Sequence, residues 1–293
     1  SDGYTYAPGT GYTRSTQSPL PAGQGAAVRC SADTTAVTGA PTSGEIDVDA
    51  GWNLIGGTGD TVAVDAITST PTDIITSTIF GIGSTGGYVD VSALRPGAGY
   101  WVKVAEDGVL NLTGTGTNTS DTPRPTPALR SPLDDGTRLT FTDAAGHQSS
   151  LWLKEDLTDE EQARYELPPV PPQDMFDIRF SGGYRAASVA SDLDAQGLSP
   201  QRQIEIQGVD FPLRVRVEAK TNDQFVQLAN GSDVVSLSPE QDAAQIERAT
   251  TELTVTVGST PQKFRLGKTR PNPIRNQAKV EYTLPEDTDV TIA

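Results

Sequence analysis

The chain has 293 residues, with 22 Lys and Arg against 38 Asp and Glu, and its formal net charge of −16 excludes a nucleic-acid-binding role built on phosphate neutralisation. A single Cys and a single His exclude an internal disulfide and a multi-cysteine zinc site. No apolar run approaches the roughly 18 residues of a membrane-spanning helix, so no transmembrane segment is expected. Gly (29) and Pro (21) instead punctuate short alternating runs along the whole sequence. That patterning predicts an all-β chain of tandem small β-sandwich-like modules followed by a larger β-sandwich domain, with little helix.

The front of the chain contains an internal repeat. Leu20-Pro-Ala-Gly23-Gln-Gly25-Ala-Ala-Val28-Arg29 matches Leu94-Arg-Pro-Gly97-Ala-Gly99-Tyr-Trp-Val102-Lys103, and a Thr-rich stretch follows each copy. The second copy is preceded by Gly51-Trp52-Asn53-Leu54-Ile55, and the first lacks that half. Residues 1–44 are therefore expected to be the back half of one module and 45–117 a second module, with Val28 and Val102 equivalent. Alternation predicts Trp52, Leu54, Tyr100, Val102 and Val104 on one packed face. Trp101, on the opposite parity to Tyr100, is left between a packed residue and a sugar-stacking platform. Tyr88 and Trp152 are the other aromatic candidates for such a platform.

Residues 118–128, with Pro123, Pro125 and Pro127, read as an extended linker. A larger β-sandwich unit is expected over 129–265. It opens with a hairpin, Leu139-Thr-Phe141-Thr and Leu151-Trp-Leu153 about an Asp143-Ala-Ala-Gly146 turn. Glu166-Leu167-Pro168-Pro169-Val170-Pro171-Pro172 then predicts a stiff crossover between sheets, and Phe176-Asp177-Ile178-Arg179-Phe180 a strand. Later strands are expected at 203–207, 213–217, 225–228, 234–237 and 252–257. Helical starts with capping-box spacing are expected only at Thr158-Asp-Glu-Glu161 and Ser238-Pro-Glu-Gln241.

Candidate chemistry is sparse. His147 follows a hairpin turn, beside Ser149 and Ser150, and a triad needs a base held by a third group near a nucleophile. A turn residue at a hairpin tip is the simpler reading. Cys30 matches Val104 in the repeat and reads as a small buried hydrophobe. Asp192-Leu-Asp194-Ala-Gln-Gly197 has the first half of a calcium-loop spacing, but Gln203 stands where the closing carboxylate belongs. Asp192 and Asp194 are therefore weak metal candidates. No other metal, cofactor-binding or catalytic constellation is expected.

The last stretch runs through Pro271-Asn272-Pro273, an alternating strand from Lys279 to Leu284, and a Pro285-Glu286 turn. It resembles the opening of the C-terminal sorting domain of proteins exported by the type IX secretion system of Bacteroidota-like bacteria. The Gly-Trp-Asn-Leu-Ile and Pro-Gly-x-Gly-Tyr-Trp-Val-Lys motifs resemble a β module common in large surface proteins of the same bacteria. The hairpin, Glu-Leu-Pro-Pro and Phe-Asp-x-Arg-Phe order resembles the β domain that often precedes the sorting domain. The resemblance implies that residues 266–293 begin a secretion domain, with Pro271, Asn272, Pro273, Leu284 and Pro285 carrying the signal. About two of the roughly seven strands of such a sandwich fall within it, so the chain is expected to be part of a longer protein.

The expectation is a non-catalytic secreted or outer-surface protein, structural or adhesive, serving as a stalk, coat or filament component. Its expected partners are the secretion machinery, with other surface proteins, copies of itself or glycans left open. The alternatives are a glycan-binding module chain and the non-catalytic C-terminal part of a larger secreted enzyme.

Overall fold

The computed structural model describes residues 2–15, 23–29, 44–113, 133, 135–155, 157–173, 175–189, 198–218, 224–259, 265–266 and 282–283. Among them the protein is all-β, with one α-helix and one 3-10 turn, the latter at Val64–Ala66.

The front of the chain builds twelve strands: β1 (Asp2–Ala7), β2 (Gly11–Ser15), β3 (Ala27–Arg29), β4 (Glu45–Val48), β5 (Gly51–Gly56), β6 (Val62–Ala63), β7 (Thr68–Thr70), β8 (Phe80–Ile82), β9 (Tyr88–Asp90), β10 (Ala93–Leu94), β11 (Gly99–Val104) and β12 (Gly108–Asn111). They form sheets ordered β2-β1-β3, β5-β11-β8-β9 and β4-β12-β7, with a short β10-β6 pair. Ile55, Tyr100, Val102 and Val104 from the four-stranded sheet pack against Ile46, Val48 and Leu110 from the β4-β12-β7 sheet, closing a small sandwich.

The repeat extends to strand pairing. The order β2-β1-β3 reproduces β9-β8-β11. Each hairpin closes a loop of the same length: Ala7 pairs with Gly11 and Thr10 N–H bonds Ala7 O at 3.2 Å, while Gly83 N–H bonds Gly87 O at 2.8 Å and Gly86 N–H bonds Gly83 O at 3.0 Å. Tyr12 and Tyr88 each follow the loop by one residue. Gly23 and Gly97 both sit in the left-handed region, at φ 81° and 75°, turning the chain into the third strand of each set. Among the described residues, β5 of the second copy, which carries Gly-Trp-Asn-Leu, borders the first copy. On one edge β5 pairs along its length with β11, and on the other Gly25 N–H bonds Leu54 O and Gly56 N–H bonds Gly23 O, both at 2.9 Å.

The second unit contains β13 (Thr137–Thr142), β14 (Gln148–Glu155), α1 (Asp159–Ala163), β15 (Asp177–Phe180), β16 (Ala186–Val189), β17 (Arg202–Gln207), β18 (Leu213–Glu218), β19 (Gln224–Asn230), β20 (Asp233–Leu237), β21 (Ala243–Ile246) and β22 (Glu252–Ser259). Two five-stranded sheets, β16-β14-β13-β18-β21 and β15-β17-β22-β19-β20, face each other. Alternation supplies the shared core: Leu139, Phe141, Leu151, Leu153, Val215 and Val217 from the first sheet meet Ile178, Phe180, Ile204, Val226, Leu228 and Val255 from the second. Thr158 caps α1 with the expected reciprocal box to Glu161. The second expected helix start forms only a turn. Ser238 Oγ accepts from Gln241 N–H at 3.3 Å, but the residues that follow pair with β18 as β21, so sheet pairing overrides the local helix signal. A last pair, β23 (Arg265–Leu266) with β24 (Tyr282–Thr283), joins the two sides of the Pro-Asn-Pro segment.

Candidate functional site

The surface that distinguishes this molecule is the junction between its two units. Strand β5 is buried on both faces, and β11 nearly so. This corrects the one-face expectation. The register pairs Trp101 with Leu54 and Lys103 with Trp52, so these side chains point away from the Val102 core. They join Phe80 and Leu167 in a second cluster, with Tyr6, Tyr12, Ala27 and Tyr88 packed around it. The β1–β2 hairpin covers this face, and its rings meet the sheet edge to face. Tyr6 lies 4.8 Å and Tyr12 5.8 Å from Trp101, and Trp52 lies 6.4 Å from Trp101. Trp101 retains 3% of its exposure, so it is packed and offers no sugar platform. Trp152 is covered by the Arg185 guanidinium, 4.4 Å above its ring.

The second unit enters this junction through its proline run. Tyr165 to Leu167 is held against Gly183 to Arg185 by Leu167 N–H to Gly183 O and Arg185 N–H to Tyr165 O, both 2.8 Å. That places Glu166 over the first unit, where its carboxylate accepts from Trp52 Nε1 at 3.1 Å and Lys103 Nζ at 2.6 Å. A proline run lacks the N–H groups that would pair it into a sheet, and several of its carbonyls here accept from side chains instead. Arg179 donates to Pro168 O at 2.8 Å, Tyr12 OH to Pro169 O at 3.3 Å, and Gln207 Nε2 to Pro171 O at 3.0 Å. The run is the expected crossover, leading from β14 in one sheet, by way of α1, to β15 in the other. It also forms the dock for the first unit.

Beneath the dock, Asp177 and Arg179 sit two residues apart on β15 and so share one face. Arg179 forks onto both oxygens of Asp177 and is 2% exposed. Burial pulls the guanidinium down, but the hydrogen bonds and charge of Asp177 outweigh it and raise it above its usual value. The two repeat-related tyrosines meet here. Burial pushes Tyr12 up to about 12, opposed in part by its hydrogen bond with Tyr88, and burial raises Tyr88 well above the ordinary phenol range. Two further links cross the junction: Arg185 to Asp90 at 2.8 Å, and Gln148 N–H to Thr85 O at 2.9 Å. The second brings the backbones so close that a Cβ on Gly87 would stand 2.0 Å from Gln148 O.

His147 lies beside this contact. Its Nδ1 is 2.9 Å from Asp143 Oδ2, its ring stacks on Phe176 at 5.3 Å, and it is 43% exposed. Asp143 also accepts from the backbone N–H of His147 at 2.8 Å and of Asp210 at 3.3 Å. Burial alone would raise its carboxyl, but the hydrogen bonds from His147 and Asp210 prevail and hold it below the usual value. Among the described residues no serine bonds His147. The pair ties the β13–β14 turn to the loop before β18, an arrangement without the nucleophile that a triad requires. No group of three His, Cys, Asp or Glu is placed to hold a metal among the described residues. Cys30, Asp192, Asp194, Pro271, Asn272, Pro273, Leu284 and Pro285 lie outside the described residues.

Sequence reasoning missed Glu166, Asp177, Arg179, Tyr6 and Tyr12. The alternation in Phe176-Asp177-Ile178-Arg179-Phe180 does place the two charges together, but nothing local says that a second unit covers them. Comparison with family profiles, with curated proteins and with solved structures finds no match to this chain. No helix among the described residues is long and apolar enough to cross a membrane.

Proposed function

We propose that the chain is a non-catalytic structural segment of a secreted or outer-surface protein, a stalk, coat or filament component in which β modules stack rigidly on a pre-terminal sandwich. The segment from Pro271 onward is its export address, read by a type IX-like secretion system. One observation carries the structural part of this reading. The two units are joined face to face by Leu167 seated among the buried rings of the first unit, by the Glu166 bridge and by the Arg185–Asp90 pair, and the buried Arg179–Asp177 fork braces the proline run from beneath. A segment that transmits load needs its modules to resist bending at each joint, and interfaces buried to this degree act as continuous core rather than as a hinge. The export part is supported by the Pro-Asn-Pro turn, the Val280-Tyr282-Leu284 alternation and the Pro285-Glu286 turn.

The test removes everything from Pro271 onward in the full-length gene and follows the product. Loss of surface delivery with residues 129–265 still folded supports the reading. Normal delivery, or unfolding of residues 129–265, contradicts it.

A further inference from the structure

Beside the junction, a cleft of about 1700 Å³ opens between the two units. One wall is the β8–β9 hairpin with the turn before β11, and the other is the loop before β15 with the corner between β17 and β18. The repeat explains why space remains there. Ala26 and Ala27 stand where the second copy has Tyr100 and Trp101, and both alanines line the cleft. Two large rings of the second copy are thus replaced by methyl groups in the first.

The lining has a distinct chemistry. The His147–Phe176 ring pair, with His147 43% exposed, lines the cleft, and Ile82, 60% exposed, adds an apolar patch at the hairpin tip. Arg95, Gln173 and Asp210 face the same cleft, and none of their side chains has a hydrogen-bond partner among the described residues. A guanidinium, an amide and a carboxylate offer both donors and acceptors along one rim. The charges nearly cancel, and the whole chain at −16 repels polyanions. A compact apolar ligand would leave this polar rim unpaired. A neutral polyhydroxylated chain satisfies both, its C–H faces on the rings and its hydroxyls on the rim.

We propose that this cleft binds a neutral polysaccharide chain. The site goes beyond the structural role and stands or falls separately from it, because none of Arg95, Gln173, Asp210 and Ile82 belongs to the clamp or to the export segment. The test is affinity gel electrophoresis of the full chain in gels containing xyloglucan, mannan, laminarin or, as the polyanion, alginate. The expected result is retardation by at least one of the three neutral polymers and none by alginate. Arg95→Ala and Gln173→Ala, both on the surface, are expected to weaken retardation at least tenfold in apparent affinity. Phe176→Ala is expected to abolish it, and Trp152→Ala, outside the cleft, to leave it unchanged. Absence of retardation by all three neutral polymers, preference for alginate, or retardation unmoved by both Arg95→Ala and Gln173→Ala overturns the proposal. Circular dichroism of each variant identifies one that has merely unfolded, and the two rim variants then decide.

Discussion

Replacing Glu166 with Ala removes the carboxylate that bonds Trp52 Nε1 at 3.1 Å and Lys103 Nζ at 2.6 Å across the junction. The side chains of Lys103 and Glu166 are 32% and 27% exposed. A fully exposed ion pair contributes about 0–1 kcal/mol, and a hydrogen bond to a charged group shielded from water about 1.5–3 kcal/mol. At this intermediate burial the Lys103 bond is expected to contribute about 1–1.5 kcal/mol, and the indole bond about 1 kcal/mol more. Glu166→Ala should therefore lower unfolding free energy by about 2–3 kcal/mol, some of it from leaving the ammonium half-buried without a partner. A double-mutant cycle with Lys103→Ala, read by urea unfolding, isolates the pair term at about 1–1.5 kcal/mol, falling as salt is added. The exposed Arg164–Glu160 pair on α1, 3.5 Å apart, is the control and should show no measurable coupling. A Lys103–Glu166 coupling within about 0.3–0.5 kcal/mol of zero, the ordinary limit of additivity, would refute the clamp.

Trp101→Ala should cost about 3–5 kcal/mol, because it empties a site filled by three ring contacts, and calorimetry should record a correspondingly lower Tm. Asp143, held below its unfolded value near 3.9, contributes stability that is complete above about pH 4 and is lost as pH falls through its folded value. Asp143→Asn should flatten that acid limb of the stability curve and lower stability at neutral pH, as followed by urea midpoints from neutral to acid. Tyr12 gives the opposite limb. A buried phenol raised to about 12 leaves stability untouched below about pH 10, the free phenol value, and drains it between there and its folded value. Tyr12→Phe should remove that decline, and ultraviolet titration of the phenolates checks it.

The fold was legible wherever one strand face met a core within its own unit. The sandwich strands follow period-2 alternation because Leu139, Phe141, Leu151 and Leu153 face the opposite sheet while Arg138, Thr140 and Ser150 do not. The Gly-x-Gly repeat was visible because both copies need the same left-handed turn before a strand. The second face of β5 and β11 was not legible. Trp52, Leu54 and Trp101 read as core or as platform according to what lies over them, and the cover comes from residues 2–15 and 166–169, distant in sequence. Asp177 and Arg179 mislead for the same reason, since charges alternating with apolar residues normally mark a solvated face. Ser238–Gln241 carried a helix signal that was correct locally and overridden by pairing of Ala243–Ile246 with β18.

The central claim, that the two units form one rigid body, is tested most directly by denaturant unfolding of a Trp152→Phe variant. In that variant the remaining tryptophans, Trp52 and Trp101, both report on the junction. Tryptophan fluorescence and far-ultraviolet circular dichroism are followed in the same titration. The account predicts a single transition with coincident midpoints, because the junction cannot open while both sandwiches stay folded. A fluorescence transition well ahead of the loss of β-sheet signal would mean that the units separate first and that the joint is a hinge, contradicting the account.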